Sequence, residues 1–230
     1  MKKTIILCLG AIALVCGCGQ NASKKAAEEQ AAAEQARADS IALVQKALET
    51  KERIASMPAE PVFDIVTSLG TIKVRLYADT PKHRENFAKL AFDGFYDGVQ
   101  FHRIIPNFMI QGGDPLTRNA ENEAKFGTGG PGYNIEAEIM PTHSHKKGAL
   151  AAARQSDLVN PLKESSGSQF YIVQSEVGCA HLDGEYSIFG ETIDGFKVID
   201  DIAAVSTNAK GLPLNPVTIV AVKYDEELNK

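Results

Sequence analysis

The chain has 230 residues, of which 24 are basic and 29 acidic, so its formal net charge is −5 at pH 7. This acidic surplus excludes the broad basic surface that nucleic-acid binding requires, and we expect no nucleic acid as a partner. Of the four cysteines, Cys8, Cys16 and Cys18 fall in the first 18 residues, which leaves Cys179 without an internal partner. We therefore expect no disulfide in the fold.

The N-terminus has the pattern of a secretory signal. Lys2 and Lys3 precede an apolar stretch over residues 5–15, which at about eleven residues is too short for a comfortable transmembrane span. The following VCGC resembles a bacterial lipobox, so residues 1–18 are predicted to be a lipoprotein signal peptide and Cys18 the lipidated residue. An ordinary cleaved signal is the alternative. We expect a lipid-anchored protein of the cell envelope, and the basic residues after Cys18 favour a periplasm-facing anchor on a membrane that the sequence does not identify.

Residues 19–60 are rich in Ala, Glu, Gln and Lys, and they predict a helical stalk or linker. Ile41, Val44 and Leu48 lie at positions i, i+3 and i+7, which places them on one face of this helix. Such a stripe can pack on a neighbouring domain or on a second copy. It is not sustained over several heptads, however, and this favours a solvated, partly helical spacer.

Residues 61–226 are predicted to form one domain in which strand patterns dominate. Residues 62–77 alternate on both sides of a Leu-Gly pair and predict a hairpin. One helix is predicted to begin after Thr80 and stop at Gly94, and a second to cover residues 195–204. Further strands are predicted within residues 101–114, 148–153, 169–174 and 217–224. This mainly β pattern favours a closed antiparallel barrel with two capping helices.

The most informative segment is FHRIIPNFMIQGGD, residues 101–114, in which one arginine and one glutamine stand among large apolar residues. A Pro-Asn pair divides it into two short strands. Arginine offers five donors and cannot act as a base, and the segment has no nucleophile, so it suits a reaction assisted by donation. Strand alternation places Met109 and Gln111 on one face and Phe108 on the other, unless the strand twists or bulges there. A core strand pair with a snorkelling arginine is the alternative.

Five stretches of the chain resemble the cyclophilins, a family of peptidyl-prolyl cis-trans isomerases. They occur in the family's order and at about its spacing, and they cover most of residues 61–223: TPKHRENFAKLAFDGFYDGVQFHRIIPNFMIQGGD, GTGGPGYNIEAE, KKGALAAAR, SGSQFYIVQ and HLDGEYSIFG. The resemblance implies the cyclophilin-like closed eight-stranded antiparallel barrel capped by two helices. It also implies an isomerase that acts on proline-containing polypeptides and needs no cofactor.

The site residues of the family carry over position by position. The resemblance implies that Arg103, Gln111 and Phe108 are catalytic. It implies a substrate-binding wall made of Met109, Ala153, Arg154, Gln169, Tyr171, His181, Leu182 and Tyr186. Four positions depart from common members of the family: Arg154 replaces asparagine, Tyr171 phenylalanine, His181 tryptophan and Tyr186 histidine. Because the position of His181 contributes to cyclosporin binding in the family, we expect only weak binding of that drug.

The chemistry of an X-Pro amide agrees with this interpretation. Resonance gives its C–N bond partial double-bond character, and the barrier to rotation is about 18–20 kcal/mol. In the twisted amide the prolyl nitrogen regains a lone pair, to which Arg103 can donate. We expect no metal, because the His143 and His145 pair lacks a Cys-x-x-Cys or HExxH framework. The predicted role is to assist the folding of exported proteins, and the alternative is a proline-segment binding module or chaperone with incidental catalysis.

Overall fold

The computed structural model describes the backbone of residues 17–230 and the side chains of residues 24, 25 and 28–230. The predicted signal peptide and its lipidated Cys18 fall outside the described side chains. Contacts divide the chain into two units between Glu49 and Thr50. Within the described residues, no helix combines the length and the apolar character needed to cross a membrane.

The first helix, α1, covers Gly17–Ser56. The apolar stripe of Ile41, Val44 and Leu48 is more than half exposed in this structure. The last turns of α1 belong to the second unit, where the guanidinium of Arg53 lies 3.8 Å from the ring centre of Phe92. This cation–π contact lies within the second unit and packs its first helical residues against the rest of that unit.

The second unit is built on an eight-stranded antiparallel sheet with a separate two-stranded ribbon, β5 and β7. The chain order is β1 Val62–Thr67, β2 Gly70–Leu76, α2 Pro81–Phe92, β3 Arg103–Ile105, β4 Met109–Gly112, β5 Asn134–Ile135, β6 Ala149–Ala152, β7 Ser165–Ser166, β8 Phe170–Val173, β9 Ile188–Asp194, α3 Phe196–Ala203 and β10 Ile219–Tyr224. The sequence patterns did not predict the short 3-10 helices, which cover Pro115–Arg118, Ala120–Lys125 and Ala180–Leu182. The predicted hairpin is present as β1 and β2, and the two predicted helices are α2 and α3.

The prediction of a closed barrel is wrong, because the hydrogen-bonded strands do not form a closed ring. Their order is β10-β1-β2-β9-β6-β8-β4-β3, so β10 and β3 are the ends of a curled half-barrel. Residues 98–101 join these ends only through isolated bridges, in which Gln100 pairs with Thr218 on one side and with Asp114 on the other. Gly98 adopts a φ of +77° at the start of this link. The link therefore pairs at single residues and does not continue a ladder.

Strands β4, β8 and β6 are neighbours in the sheet, and both of their faces are buried. On the inner face, Ile110, Leu150 and Phe170 join the main core, over which α2 and α3 pack. On the outer face, Met109 and Tyr171 belong to a second apolar cluster. Side chains alternate along a strand, so one set of three strands supplies both the core and the floor of a surface depression.

Candidate active site

The outer faces of β3, β4, β8 and β6 align four residues in one row across the sheet. Arg103 pairs with Gln111, Gln111 with Tyr171, and Tyr171 with Ala151. Directly opposed residues point to the same face of an antiparallel sheet. Arg103 is exposed at one end of the row, whereas Tyr171 is buried. The strand pair predicted from FHRIIPNFMIQGGD therefore exists, and its arginine lies at the edge of an apolar surface.

Phe108 reaches this face because it precedes β4. Asn107 has a left-handed φ of +61°, and the N–H of Phe108 donates to the carbonyl of Ile105 at 3.1 Å. Phe108 is thus a turn residue, free of the alternation that begins at Met109. Its side chain packs against the outer cluster beside Leu182 and Tyr186. The twist or bulge that the sequence pattern requires is provided by the turn.

A cavity of about 160 Å³ opens over this face. Its nine lining residues all belong to the eleven that the resemblance to cyclophilins implies: Arg103, Phe108, Met109, Gln111, Ala153, Arg154, Tyr171, Leu182 and Tyr186. Two predicted residues lie outside it. Gln169 lines a neighbouring cavity of about 570 Å³, and the ring centre of His181 stands 6.1 Å from that of Phe108. The roles of all eleven stay predictions.

A chain of side-chain amides supports Arg103. Its Nη1 donates to Oε1 of Gln111 at 3.3 Å, and Nε2 of Gln111 donates to Oε1 of Gln169 at 3.1 Å. Nε2 of Gln169 in turn donates to the carbonyls of Gly127 at 3.0 Å and Gly129 at 2.8 Å. Gly127 and Gly129 belong to a glycine-rich loop, residues 127–132. Because an amide oxygen accepts and an amide nitrogen donates, the bonds to this loop determine the orientation of the Gln169 amide, which in turn determines that of the Gln111 amide. The guanidinium is oriented before any substrate arrives.

Asp114 holds the glycine-rich loop in place through two hydrogen bonds. This carboxylate is fully buried, and its Oδ2 accepts from the N–H groups of Gly127 at 2.6 Å and Gly129 at 3.2 Å. A Cβ at Gly129 would lie 2.1 Å from Oδ1 of Asp114, so only glycine fits there. The N–H groups of Gly127 and Gly129 are therefore bonded to Asp114 within the protein. The carbonyl groups of the same two residues support the side chain of Gln169.

Tyr171 is held by a buried histidine. His145 places Nε2 2.8 Å from the Tyr171 hydroxyl and Nδ1 2.7 Å from Oδ1 of Asp183. Burial lowers the pKa of His145 more than the hydrogen bond to Asp183 raises it. Burial raises the pKa of Asp183, but the hydrogen bonds from His145 outweigh burial, so this pKa lies below its ordinary value. A carboxylate can only accept, so Nδ1 carries the proton and Nε2 accepts from the tyrosine.

Sequence patterns do not reveal this Asp183, His145 and Tyr171 relay. Its histidine lies 26 residues before Tyr171 and 38 before Asp183, so no local motif contains any two of them. The neighbouring His143 has different partners, since its Nε2 lies 2.8 Å from Oδ1 of Asp79 and its ring stacks on Tyr77. Across the described residues, no group of three or more His, Cys, Asp or Glu side chains could hold a metal ion.

Arg154 lines both cavities. Its side chain is only 6% exposed, and protein groups engage each of its nitrogens. Nε donates to the carbonyl of Glu185 at 2.9 Å, Nη2 to the carboxylate of Glu185 at 3.2 Å, and Nη1 to Asp157 and the carbonyl of Gln155. The guanidinium also lies 4.6 Å from the ring centre of Tyr186. Arg154 therefore shapes the wall with its stem and ring contact, while its donors are used within the protein.

Comparisons with known proteins show which family the chain belongs to. The family model for the cyclophilin type peptidyl-prolyl cis-trans isomerases matches residues 62–224. The chain belongs to the cyclophilin family. Peptidyl-prolyl cis-trans isomerase-like 1 of Aspergillus fumigatus is 38% identical over 172 residues, which cover 74% of this chain and 98% of the relative. Peptidyl-prolyl cis-trans isomerase CYP18-1 of Arabidopsis thaliana is 40% identical over 162 residues, which cover 67% of this chain and 93% of the relative.

Solved cyclophilins share the fold of this one. The crystal structure of a cyclophilin type peptidyl-prolyl cis-trans isomerase of Cryptosporidium parvum has a TM-score of 0.64 and 29% identity, and the match covers 73% of this chain and 98% of that chain. A second structure of that protein, in the presence of the dipeptide Ala-Pro, has a TM-score of 0.63 and 30% identity over 72% of this chain and 99% of that chain. This cyclophilin is a peptidyl-prolyl cis-trans isomerase, as the resemblance implies.

Proposed function

We propose that this cyclophilin is a lipid-anchored isomerase that assists the folding of exported proteins, with Arg103 as its catalytic donor. The observation that carries the assignment of Arg103 is its place at the rim of the 160 Å³ cavity, oriented by its hydrogen bond to Gln111. The cavity floor offers Phe108, Met109 and Leu182 as apolar contacts for a proline ring. A relative crystallised in the presence of Ala-Pro supports proline-containing chains as the substrate class.

The proposed mechanism uses hydrogen bonding and no covalent step. The apolar floor holds the proline ring while the carbonyl before it turns. As the amide twists, its nitrogen loses resonance and gains a lone pair, and the Arg103 guanidinium donates to that lone pair. One preorganised donor of this kind lowers the barrier by roughly 3 kcal/mol, out of about 18–20 kcal/mol for the free amide. Gln111 keeps the guanidinium in place, so little reorganisation is needed when the charge develops.

The N-terminal part of the chain is proposed to set the location. Residues 1–18 are the lipoprotein signal, Cys18 is the anchor, residues 19–60 are the stalk, and residues 61–226 are the isomerase domain. The support is the lipobox-like VCGC and the uninterrupted helix α1, whose described side chains up to residue 49 are exposed. An anchored, periplasm-facing isomerase would meet polypeptides as they emerge from export and before their prolines have reached the native isomers, a step that takes tens to hundreds of seconds without catalysis.

The catalytic proposal is tested by the isomerisation rate of a short X-Pro peptide with the full chain in mild detergent. Arg103→Ala should lower kcat/KM by about a hundredfold, because it removes the donor to the prolyl nitrogen. Arg37→Ala is the matched control, since it removes an exposed arginine on α1 and should leave the rate unchanged. Equal rates for Arg103→Ala and the wild type would reject this mechanism. Suppression of aggregation of a proline-free client by both proteins would then favour the binding module.

The anchor is tested separately, by labelling cells with a radioactive fatty acid. The wild-type chain should carry the label and sediment with membranes, whereas Cys18→Ser should be unlabelled and soluble, because the thiol is the attachment point. Cys179→Ser is the control, and it should be labelled like the wild type. Label on Cys18→Ser would show that the anchor assignment is wrong without touching the catalytic proposal.

A further inference from the structure

The loop that connects β6 to β7 exposes three large apolar side chains beside the active site. In this loop, residues 155–164, Leu158 is 95% exposed, Leu162 75% and Val159 70%. Single exposed apolar residues are ordinary on a protein surface, but groups of them mark interaction sites. Here the three fall within one five-residue stretch.

Hydrogen bonds within the 155–164 loop fix its path. The carbonyl of Ser156 accepts from the N–H groups of Val159 at 3.1 Å and Asn160 at 3.0 Å. The buried Asn160 side chain donates to the carbonyl of Glu164 at 2.7 Å and accepts from its N–H at 3.0 Å. These are the bonds of a structured turn. These hydrogen bonds hold the loop in a conformation in which the three apolar side chains point to solvent.

Ion pairs fasten both ends of the same loop to the wall of the active site. Arg154 bonds Asp157 near the start of the loop and Glu185 behind it. Lys163, near the end of the loop, places Nζ 2.6 Å from the same Glu185 carboxylate. Arg154 is almost fully buried at the centre of this network, whereas Asp157, Glu185 and Lys163 are partly exposed at its edge. The loop and the proline cavity therefore share one framework.

The groove continues from the proline cavity to the loop. The 160 Å³ and 570 Å³ cavities share Gln111, Ala153 and Arg154. The larger cavity is also lined by Gln155, Asn160 and Glu164 of the loop. A chain with its proline in the first cavity and its neighbouring residues in the second would lie beside the loop that carries Leu158, Val159 and Leu162, although none of these three lines either cavity.

We propose that the 155–164 loop is a docking surface for apolar side chains of an unfolded client, a few residues away from the bound proline. This rests on the proposed function, and it adds a preference for clients with leucine, valine or similar residues on that side. An extended chain rises about 3.3 Å per residue, so a few residues span the larger cavity. Unfolded exported chains display such side chains before their cores form.

Charge and area favour a client chain over the other occupants. A membrane surface carrying anionic lipids attracts clusters of lysine and arginine. Around this loop Asp157, Glu164 and Glu185 are acidic, and Lys163 and Arg154 are paired with Glu185. A stable pair of copies needs an interface of roughly 1,000 Å² or more, which three side chains do not supply.

The test compares the full-length wild type with Leu158→Ser/Val159→Ser/Leu162→Ser on three substrates. The first is a tetrapeptide with one X-Pro bond, the second a long peptide with leucines and valines on both sides of that bond, and the third the long peptide with those residues replaced by serine. The triple variant should bind the leucine-rich peptide about tenfold more weakly and show a correspondingly higher KM. The tetrapeptide and the serine-rich peptide should show no difference. The control is Val177→Ser/Leu214→Ser, which removes two exposed apolar side chains outside both cavities.

Binding is read by anisotropy of labelled peptides, so it does not depend on catalysis. Tenfold weaker binding by the triple variant supports the docking surface even if Arg103→Ala shows that the proposed mechanism is wrong. Equal affinity of wild type and triple variant for the leucine-rich peptide overturns it. It is also overturned if client binding is unchanged while the triple variant loses flotation with vesicles containing anionic lipid, or loses a dimer seen by sedimentation. Those results would assign the loop to a membrane or to a second copy.

Discussion

The two faces of strands β4, β8 and β6 are both buried, but different interactions hold them. On the inner face Ile110, Leu150 and Phe170 pack into the main core with no polar partner of their own. On the outer face apolar floor residues alternate with Gln111 and with Tyr171, whose polar atoms are bonded into two separate relays. The inner face specifies stability through packing, and the outer face specifies the orientation of a few donors. Mutations on the two faces should therefore separate stability from activity.

The largest expected effect is on the inner face. Phe170→Ala removes a ring that contacts those of Phe87, Tyr96 and Phe101, and it should lower the free energy of unfolding by about 3–5 kcal/mol. Denaturant unfolding measures the loss. The kcat/KM of the fraction that stays folded should be close to that of the wild type. A large fall in that value would show that the two faces are not separable.

A smaller effect is expected from Gln169→Leu on the outer face. The change breaks the link between Gln111 and the carbonyls of Gly127 and Gly129, which frees the guanidinium of Arg103 to move. The kcat/KM for a short peptide should fall about tenfold, the effect of one disrupted buried hydrogen-bond network of about 1–3 kcal/mol. In an Arg103→Ala background the same change should add little. Additive losses in the double variant would show that Gln169 acts independently of the arginine.

Tyr171→Phe should have a still smaller effect. It keeps the ring in the cavity wall but removes the hydroxyl that bonds Nε2 of His145 at 2.8 Å. We expect a loss of about 1 kcal/mol in the free energy of unfolding and a modest rise in KM. Tyr133→Phe is the matched control, because its hydroxyl bonds Asn86 at an exposed site. Equal losses in the two variants would mean that the relay does not position the wall.

The smallest effect is a dependence of stability on pH. Burial lowers the pKa of His145 from its ordinary value of 6.5, although Asp183 opposes this and His181 assists it. Below about pH 6.5 the unfolded chain therefore binds a proton that the folded chain does not, and the free energy of unfolding falls as the pH falls. Melting temperatures between pH 7.5 and pH 5 should show a shallower decline for His145→Asn. Some decline should persist, since burial also lowers the pKa of His102. Identical slopes would contradict the assignment of His145 as a buried neutral side chain.

Several secondary-structure elements could be predicted because they depend on local patterns. Alternation of apolar residues predicts the β1 and β2 hairpin and the strand pair around Arg103, and the Thr80 and Gly94 signals predict α2. Each pattern involves residues close in sequence. Closure of the sheet is different, because it depends on how residues 98–101 meet Asp114 and Thr218. The sequence pattern predicted a closed barrel, whereas the structure has a half-barrel whose ends are joined by isolated bridges.

By itself the sequence determined the family and the positions of most strands along the chain, because contiguous motifs carry both. It also predicted eleven site residues, of which nine line the cavity. Only the tertiary structure decided how those residues are held. It brought Phe108 to the outer face through the turn at Asn107, placed His145 behind Tyr171, and committed the donors of Arg154 to Glu185 and Asp157. The contacts of His145 with Tyr171 and of Arg154 with Glu185 join residues distant in the chain, and such hydrogen bonds depend on distances of a few tenths of an ångström. No periodicity in a sequence encodes distances of that kind.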